Sequence, residues 1–252
     1  MLGFVDALVG VVVTVVLAAI AARFRALTLP AAAVAAAFGS LIVVLGGFAF
    51  LGLLALFLFA SGLVTRYHFQ EKARRSVQEG TAGERGVSNV LSHIFLPTVL
   101  VVLATILPAQ MPWDTTTFLY AAAIAFGAAD TFASELGILS GSAVAILTWK
   151  PVTPGTNGGV SAQGQLWAFV GALTTAIFGL GLYWAFGTPV VSVALFIGGV
   201  TIAGFAGCQV DSILGETLEN RGWLTKGSTN LIGMGSAILI GLGILGLAGV
   251  AL

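Results

Sequence analysis

The chain alternates long apolar runs with more polar connections, and every Lys and Arg falls in alternate connections. Eight apolar stretches stand out, near 4–22, 28–45, 48–65, 90–108, 116–139, 163–186, 189–207 and 229–251. Each is about the 17–25 residues that a membrane-spanning helix needs. The first connection holds Arg23 and Arg25. The third holds Arg66, Lys72, Arg74, Arg75 and Arg85. The fifth holds Lys150, and the seventh holds Arg221 and Lys226. The even connections, around Gly46–Gly47, from Pro108 to Thr115 and around Gly187–Pro189, hold no basic residue. A wrong segment count would scatter these charges over both sides. The positive-inside rule puts the odd connections in the cytoplasm and both termini outside. The expected fold is all-α: one polytopic transmembrane helical bundle over 1–252, with cytoplasmic loops near 66–89, 140–162 and 208–228. Trp113 and Trp184 fall at the opposite interface, where aromatic belts sit.

Composition excludes the alternatives. Only 8% of residues are charged and 58% are hydrophobic, whereas a soluble domain carries about 25% charged residues. Lipid is the main solvent, and the apolar runs are continuous rather than alternating, which favours helices over a barrel. The first stretch does not read as a cleaved signal, since nothing basic precedes it and Arg23 and Arg25 follow it. Two His and one Cys exclude a zinc cluster and a disulfide framework. The net charge of zero says nothing about partners, and nucleic acid is not expected among them.

The polar residues of the inward ends repeat. The fifth stretch runs into Ala129-Asp-Thr-Phe-Ala-Ser-Glu-Leu-Gly137, followed by Lys150 and by Pro154-Gly-Thr-Asn-Gly-Gly-Val-Ser161. The seventh runs into Gly207-Cys-Gln-Val-Asp-Ser-Ile-Leu-Gly-Glu216, followed by Lys226 and Ser228-Thr229-Asn230. Each has Asp, a hydroxyl residue, Glu, then Lys and a Thr-Asn pair. The expectation is a parallel internal repeat of segments 5–6 and 7–8, with a binding site between the halves.

Asp130, Glu135, Asp211 and Glu216 would gather as an acidic cluster at the inner helix ends. Charged groups at membrane depth are costly and face a cavity or a partner. Carboxylates with few His suit a hard cation, and Mg²⁺ takes one or two of them together with water and substrate phosphates. Asp130 and Ser134 share a helix face. Glu135 lies about 140° round from Asp130, so a straight helix offers one of these two carboxylates to an ion, not both. Asp130 and Asp211 are the favoured ligands. The glycines at 155, 158 and 159 let backbone approach a ligand closely, and turn amides there, with the helix start after Ser161, suit an anion. Lys150 and Lys226 would bring positive charge to phosphates. The run is not a Walker A loop, which needs Gly-Lys-Ser/Thr.

Plainer roles are also expected. The stretch from Arg66 to Arg85 reads chiefly as a topology anchor. His68 and His93 read as interfacial polar residues, and Cys208 as a small buried one.

The runs Ala129–Gly137 and Pro154–Ser161, with Asp211-Ser-Ile-Leu-Gly215, resemble the integral membrane family of transmembrane protein 19 and the plant phytyl-phosphate kinases. The likeness covers nearly the whole chain, with its motifs in order. It implies a CTP-dependent kinase that converts an isoprenyl monophosphate, of phytyl or geranylgeranyl type, to the diphosphate with Mg²⁺ at the cytoplasmic face of a prokaryotic plasma membrane. On this likeness Asp130, Asp211 and Lys150 are catalytic, and Asp130, Glu135, Asp211 and Glu216 are metal candidates. Lys72, Arg85, Ser134, Pro154, Gly155, Thr156, Asn157, Gly158, Gly159, Ser161, Ser212, Lys226 and Asn230 would bind nucleotide or lipid phosphate. Lys72 and Arg85 fall where the family has a basic loop and an Arg. Asn89-Val-Leu-Ser-His93 departs from the family's Gln and Asn-Gly pair, so no family role is carried to Asn89 or His93. A cytidylyltransferase releasing pyrophosphate and a small-solute transporter are the alternatives. Membrane lipid is a further expected partner, and a homo-oligomer is compatible with the sequence.

Overall fold

A computed structural model describes residues 3–250. Eight long helices are each apolar enough to cross a membrane. They are α1 (Phe4–Arg23), α2 (Leu29–Gly46), α3 (Phe48–Arg66), α5 (Val87–Ile106), α6 (Trp113–Gly137), α7 (Ala162–Ala185), α8 (Val193–Leu214) and α9 (Lys226–Leu247). A short α4 (Phe69–Arg74) lies between α3 and α5. The last stretch was expected to reach residue 251, which lies outside the described residues.

Local sequence explains the helix starts. Thr28 accepts a hydrogen bond from the Ala31 amide at the start of α2, with Pro30 beside it in the first turn. Ser161 caps α7 through the Gly164 amide. Thr225 and Ser228 form a reciprocal capping box on α9.

The helix α6 is the axis of the bundle. It packs against α3, α5, α7, α8 and α9, and its residues from Thr115 to Ala129 are all buried. Small residues permit this. A Cβ at Gly204 of α8 would lie 2.7 Å from Ala125 Cβ, and one at Gly171 of α7 would lie 2.8 Å from the Ala128 carbonyl oxygen. Close backbone approach through small residues is how helices associate where lipid removes the hydrophobic drive. The first helix is peripheral, packing on α2 and, less, on α3.

The fold departs from expectation in two places. The helix α8 does not end near residue 207. It continues through Leu214 and then as a wider π turn over Gly215–Glu219, so Asp211 and Ser212 sit on helix rather than in the loop expected near 208–228. The connection expected as a loop near 140–162 holds a small antiparallel sheet of β1 (Ala143–Ala145), β2 (Pro151–Val152) and β3 (Gly159–Val160), in the order β2-β1-β3. Ala143 pairs with Val152, and Val144 with Val160.

All ten Lys and Arg residues lie in, or at the edge of, the connections α1–α2, α3–α5, α6–α7 and α8–α9. These four connections form the basic end of the bundle.

Candidate functional site at the basic end

A polar cavity of about 310 Å³ opens at the basic end. Asp130 on α6 and Asp211 on α8 both line it, although they are far apart in sequence. Asp211 presents a buried Oδ1 with no hydrogen-bond partner. An acceptor in that position carries its desolvation cost until something donates to it or coordinates it.

The Gly-rich turn from Pro154 to Gly159 closes one side of the cavity. Gly155 and Gly158 take positive φ, +95° and +74°, conformations that other residues adopt at a cost. Gly158 lies against the π turn, where a Cβ would stand 2.4 Å from the Glu216 nitrogen. Asn220 Nδ2 donates to the Asn157 carbonyl at 3.3 Å. The turn is thus docked on the end of α8.

Lys226, at the first turn of α9, lines the cavity and lies 3.2 Å from Glu79. Ser134, Ser161, Ser212 and Asn230 also line it. The structure therefore brings together Asp130, Ser134, Asp211, Ser212, Lys226, Asn230 and the whole turn from Pro154 through Ser161.

Three expected site residues have other partners, and a fourth lies apart from the cavity. Glu135 borders the cavity, but its Oε2 accepts from Lys72 Nζ at 2.7 Å. Lys72 is fully buried and also donates to the Val64 and Thr65 carbonyls at 3.0 and 3.2 Å. It closes the end of α3 rather than facing a nucleotide. Glu216 accepts from the Leu147 amide at 2.6 Å and from Thr148 Oγ1 at 3.0 Å, so it ties the β1–β2 hairpin to the π turn. Lys150 is exposed on that hairpin and does not line the cavity. Glu135 and Glu216 thus have protein partners of their own, and Lys150 lies outside the cavity lining. Among the described residues, no three His, Cys, Asp or Glu side chains converge to hold a metal ion.

Arg85 is buried as well, beside the cavity rather than in it. Burial pulls its guanidinium below the ordinary value, against the opposing pull of the Glu79, Glu135 and Asp130 carboxylates. Its backbone is clipped to the α1–α2 connection. The Arg85 amide donates to the Ala26 carbonyl at 3.0 Å, and the Thr28 amide donates to the Arg85 carbonyl at 3.1 Å.

Sequence reasoning missed Glu79, Gln165 and Glu219 as cavity residues. Glu79 sits in a stretch that reads as a charged anchor. Gln165 is a lone amide in an apolar run, yet it reaches Gln209 of α8 at 2.9 Å. His93, expected at an interface, is buried with its ring stacked between Phe57 and Phe126.

The family model described as integral membrane protein DUF92 matches residues 12–250. An uncharacterized membrane protein of Synechocystis is 35% identical over 79% of this chain and 75% of its own length. One of Methanocaldococcus jannaschii is 31% identical over 77% of this chain and 75% of its own. Protein PGR of Arabidopsis thaliana is 33% identical over 70% of this chain and 67% of its own. No solved structure matches the chain.

Proposed function

The chain belongs to this integral membrane family, and from that premise we propose that it is a membrane-embedded phosphotransferase, using CTP to convert an isoprenyl monophosphate to the diphosphate at the cytoplasmic face. The observation that carries the reading is the unpartnered Asp211 Oδ1 beside Asp130, in a cavity that a Gly-rich turn and Lys226 also line.

The donor set fits Mg²⁺. Two carboxylates with hydroxyl and amide oxygens are hard ligands, and Mg²⁺ ordinarily relies on one or two carboxylates and completes its shell with water and phosphate. A convergent all-protein cage is not required. Asp130 and Asp211 would hold the ion. When bound, it would neutralise phosphate charge.

The protein's own groups account for the rest. Lys226 places an ammonium against the nucleotide phosphates, held in position by Glu79. The turn from Gly155 to Gly159 offers backbone to the same phosphates without side-chain obstruction. The lipid monophosphate is already an anionic nucleophile, so no strong general base is needed. Its oxygen attacks the γ-phosphorus in line, the bond to the β-phosphate oxygen breaks, and CDP leaves. Such transfer depends on positioning and charge neutralisation.

The test is purified protein in detergent with geranylgeranyl monophosphate, Mg²⁺ and γ-labelled CTP. Label in geranylgeranyl diphosphate, with CDP released, is the expected result. Label in pyrophosphate would make the protein a cytidylyltransferase. No nucleotide consumption would overturn the phosphotransferase reading and favour a transporter.

A further inference from the structure

A second recess lies away from the polar cavity. It is an apolar groove of about 80 Å³ between α1, α2, α3 and α5. Leu17, Ala35, Leu54 and Phe57 are among its walls, and almost all of its lining is hydrocarbon. Besides Thr14, whose hydroxyl donates to the Gly10 carbonyl, the polar side chains that interrupt it lie on one stretch of chain: Arg85, Asn89 and His93.

These polar groups are under-used. Arg85 is 6% exposed and forms no ion pair. Its guanidinium makes two long hydrogen bonds, to Asn89 Oδ1 at 3.4 Å and Thr131 Oγ1 at 3.3 Å. A guanidinium has five N–H donors, and a buried charge is ordinarily paired. His93 is 4% exposed. Its Nδ1 lies 2.8 Å from the Asn89 carbonyl and so carries the proton, which leaves Nε2 as an acceptor. That Nε2 is buried and has no partner. A hydrocarbon groove ending at a charged, unpaired donor fork matches a molecule with an apolar chain and an anionic head. The free His93 acceptor suits a P–OH on the same head.

One hydrogen bond links the groove to the helix that carries Asp130. Arg85 bonds to Thr131, the neighbour of Asp130 in α6. A head group at Arg85 would therefore stand between the groove and the carboxylate pair.

Resting on the phosphotransferase reading, we infer that this groove is the acceptor site: one prenyl chain lies along α2 and α3, and its monophosphate is held by Arg85 with His93. The tail continues past the groove into lipid. A single-chain acceptor also separates this site from one built for a diacyl phosphatidate.

Binding of tritiated geranylgeranyl monophosphate and geranylgeraniol to purified protein, without nucleotide, tests this. Wild type is expected to bind the monophosphate about tenfold or more tighter than the alcohol, the scale of a desolvated charge contact. Arg85→Gln should erase that preference, and Arg85→Lys should keep part of it. Ala35→Phe and Ala55→Phe fill the groove from opposite walls, and each should weaken both ligands. Elution as a monodisperse species checks folding, and either filled variant suffices if the other misfolds. Equal binding of alcohol and monophosphate by wild type, or wild-type binding by the filled variants, overturns the assignment. Specific binding without CTP consumption would sink the kinase reading and leave the groove standing. Transfer undisturbed in the filled variants would do the reverse.

Discussion

Lys72 Nζ stands 2.7 Å from Glu135 Oε2, joining the connection after α3 to the inner end of α6. The ammonium is fully buried and its two remaining bonds go to α3 carbonyls. Removing one member of a buried pair leaves the other charge uncompensated. Lys72→Met should cost about 3–5 kcal/mol, and the double change with Glu135→Leu should recover much of it. Thermal unfolding in detergent measures both. A single variant as stable as wild type would mean that water reaches Glu135.

Asp130→Asn and Asp211→Asn should each lower transfer on the order of 100-fold or more while the protein still elutes as wild type, the scale of losing one preorganised electrostatic contact. Glu216→Gln should instead lower the melting temperature and leave the Mg²⁺ dependence unchanged, because its oxygens hold the Leu147 amide and the Thr148 hydroxyl. Magnesium titrations of the three variants separate the two roles.

The two lysines expected near phosphate should now behave differently. Lys226→Gln should raise the KM for CTP about tenfold, as loss of a charged contact does. Lys150→Gln should leave kcat and KM near wild type, since the side chain is exposed on the β1–β2 hairpin. Equal losses in both would return Lys150 to the site.

Gly158 and Gly222 share nearly the same backbone, φ +74° and +71°, but only Gly158 is crowded. Alanine at a positive-φ glycine destabilises by more than about 1 kcal/mol. Gly158→Ala adds a clash with the π turn and should shift the nucleotide loop, so activity should fall further than stability. Gly222→Ala should show the stability loss alone. Melting curves and turnover, compared between the two, decide this.

Acid should loosen the turn before α5. The Thr81 hydroxyl, with the Glu84 and Ala82 amides, holds the Glu84 carboxyl down at about 2. A depressed carboxyl contributes stability that is fully present above its ordinary value of 4.5 and is lost as pH falls towards 2. Hydrogen exchange at the Thr81 and Ala82 amides, corrected for chemical exchange, should rise across that window in wild type and stay flat in Glu84→Gln.

The spans were legible because each is a long apolar run with few charges, and because the basic residues mark one end of the bundle. The inner end was harder to read. Gln209, Asp211 and Ser212 look like loop residues by polarity, yet they are helical: the polar cavity, not water outside the fold, accounts for their character. Strands of two or three residues are too short to show alternation, so the small sheet was invisible. Lys72 shows the opposite failure. It sits among exposed cations and looks like them, but the Glu135 carboxylate and the α3 carbonyls draw it inside. Asp130 and Asp211 were singled out for their scarcity in an apolar chain, and the fold places both on one cavity.

The cavity takes its walls from five separated stretches, the last of them at the start of α9. Chains enter the membrane from the N-terminus as they are synthesised. When α8 has just been laid in place, both aspartates are present and Lys226 and Asn230 are not. An acidic recess without Lys226 therefore persists until α9 arrives, and a chain halted before residue 226 carries both aspartates in an unfinished cavity. Completion of the cavity is thus a late event of biosynthesis, set by the order of the helices along the chain.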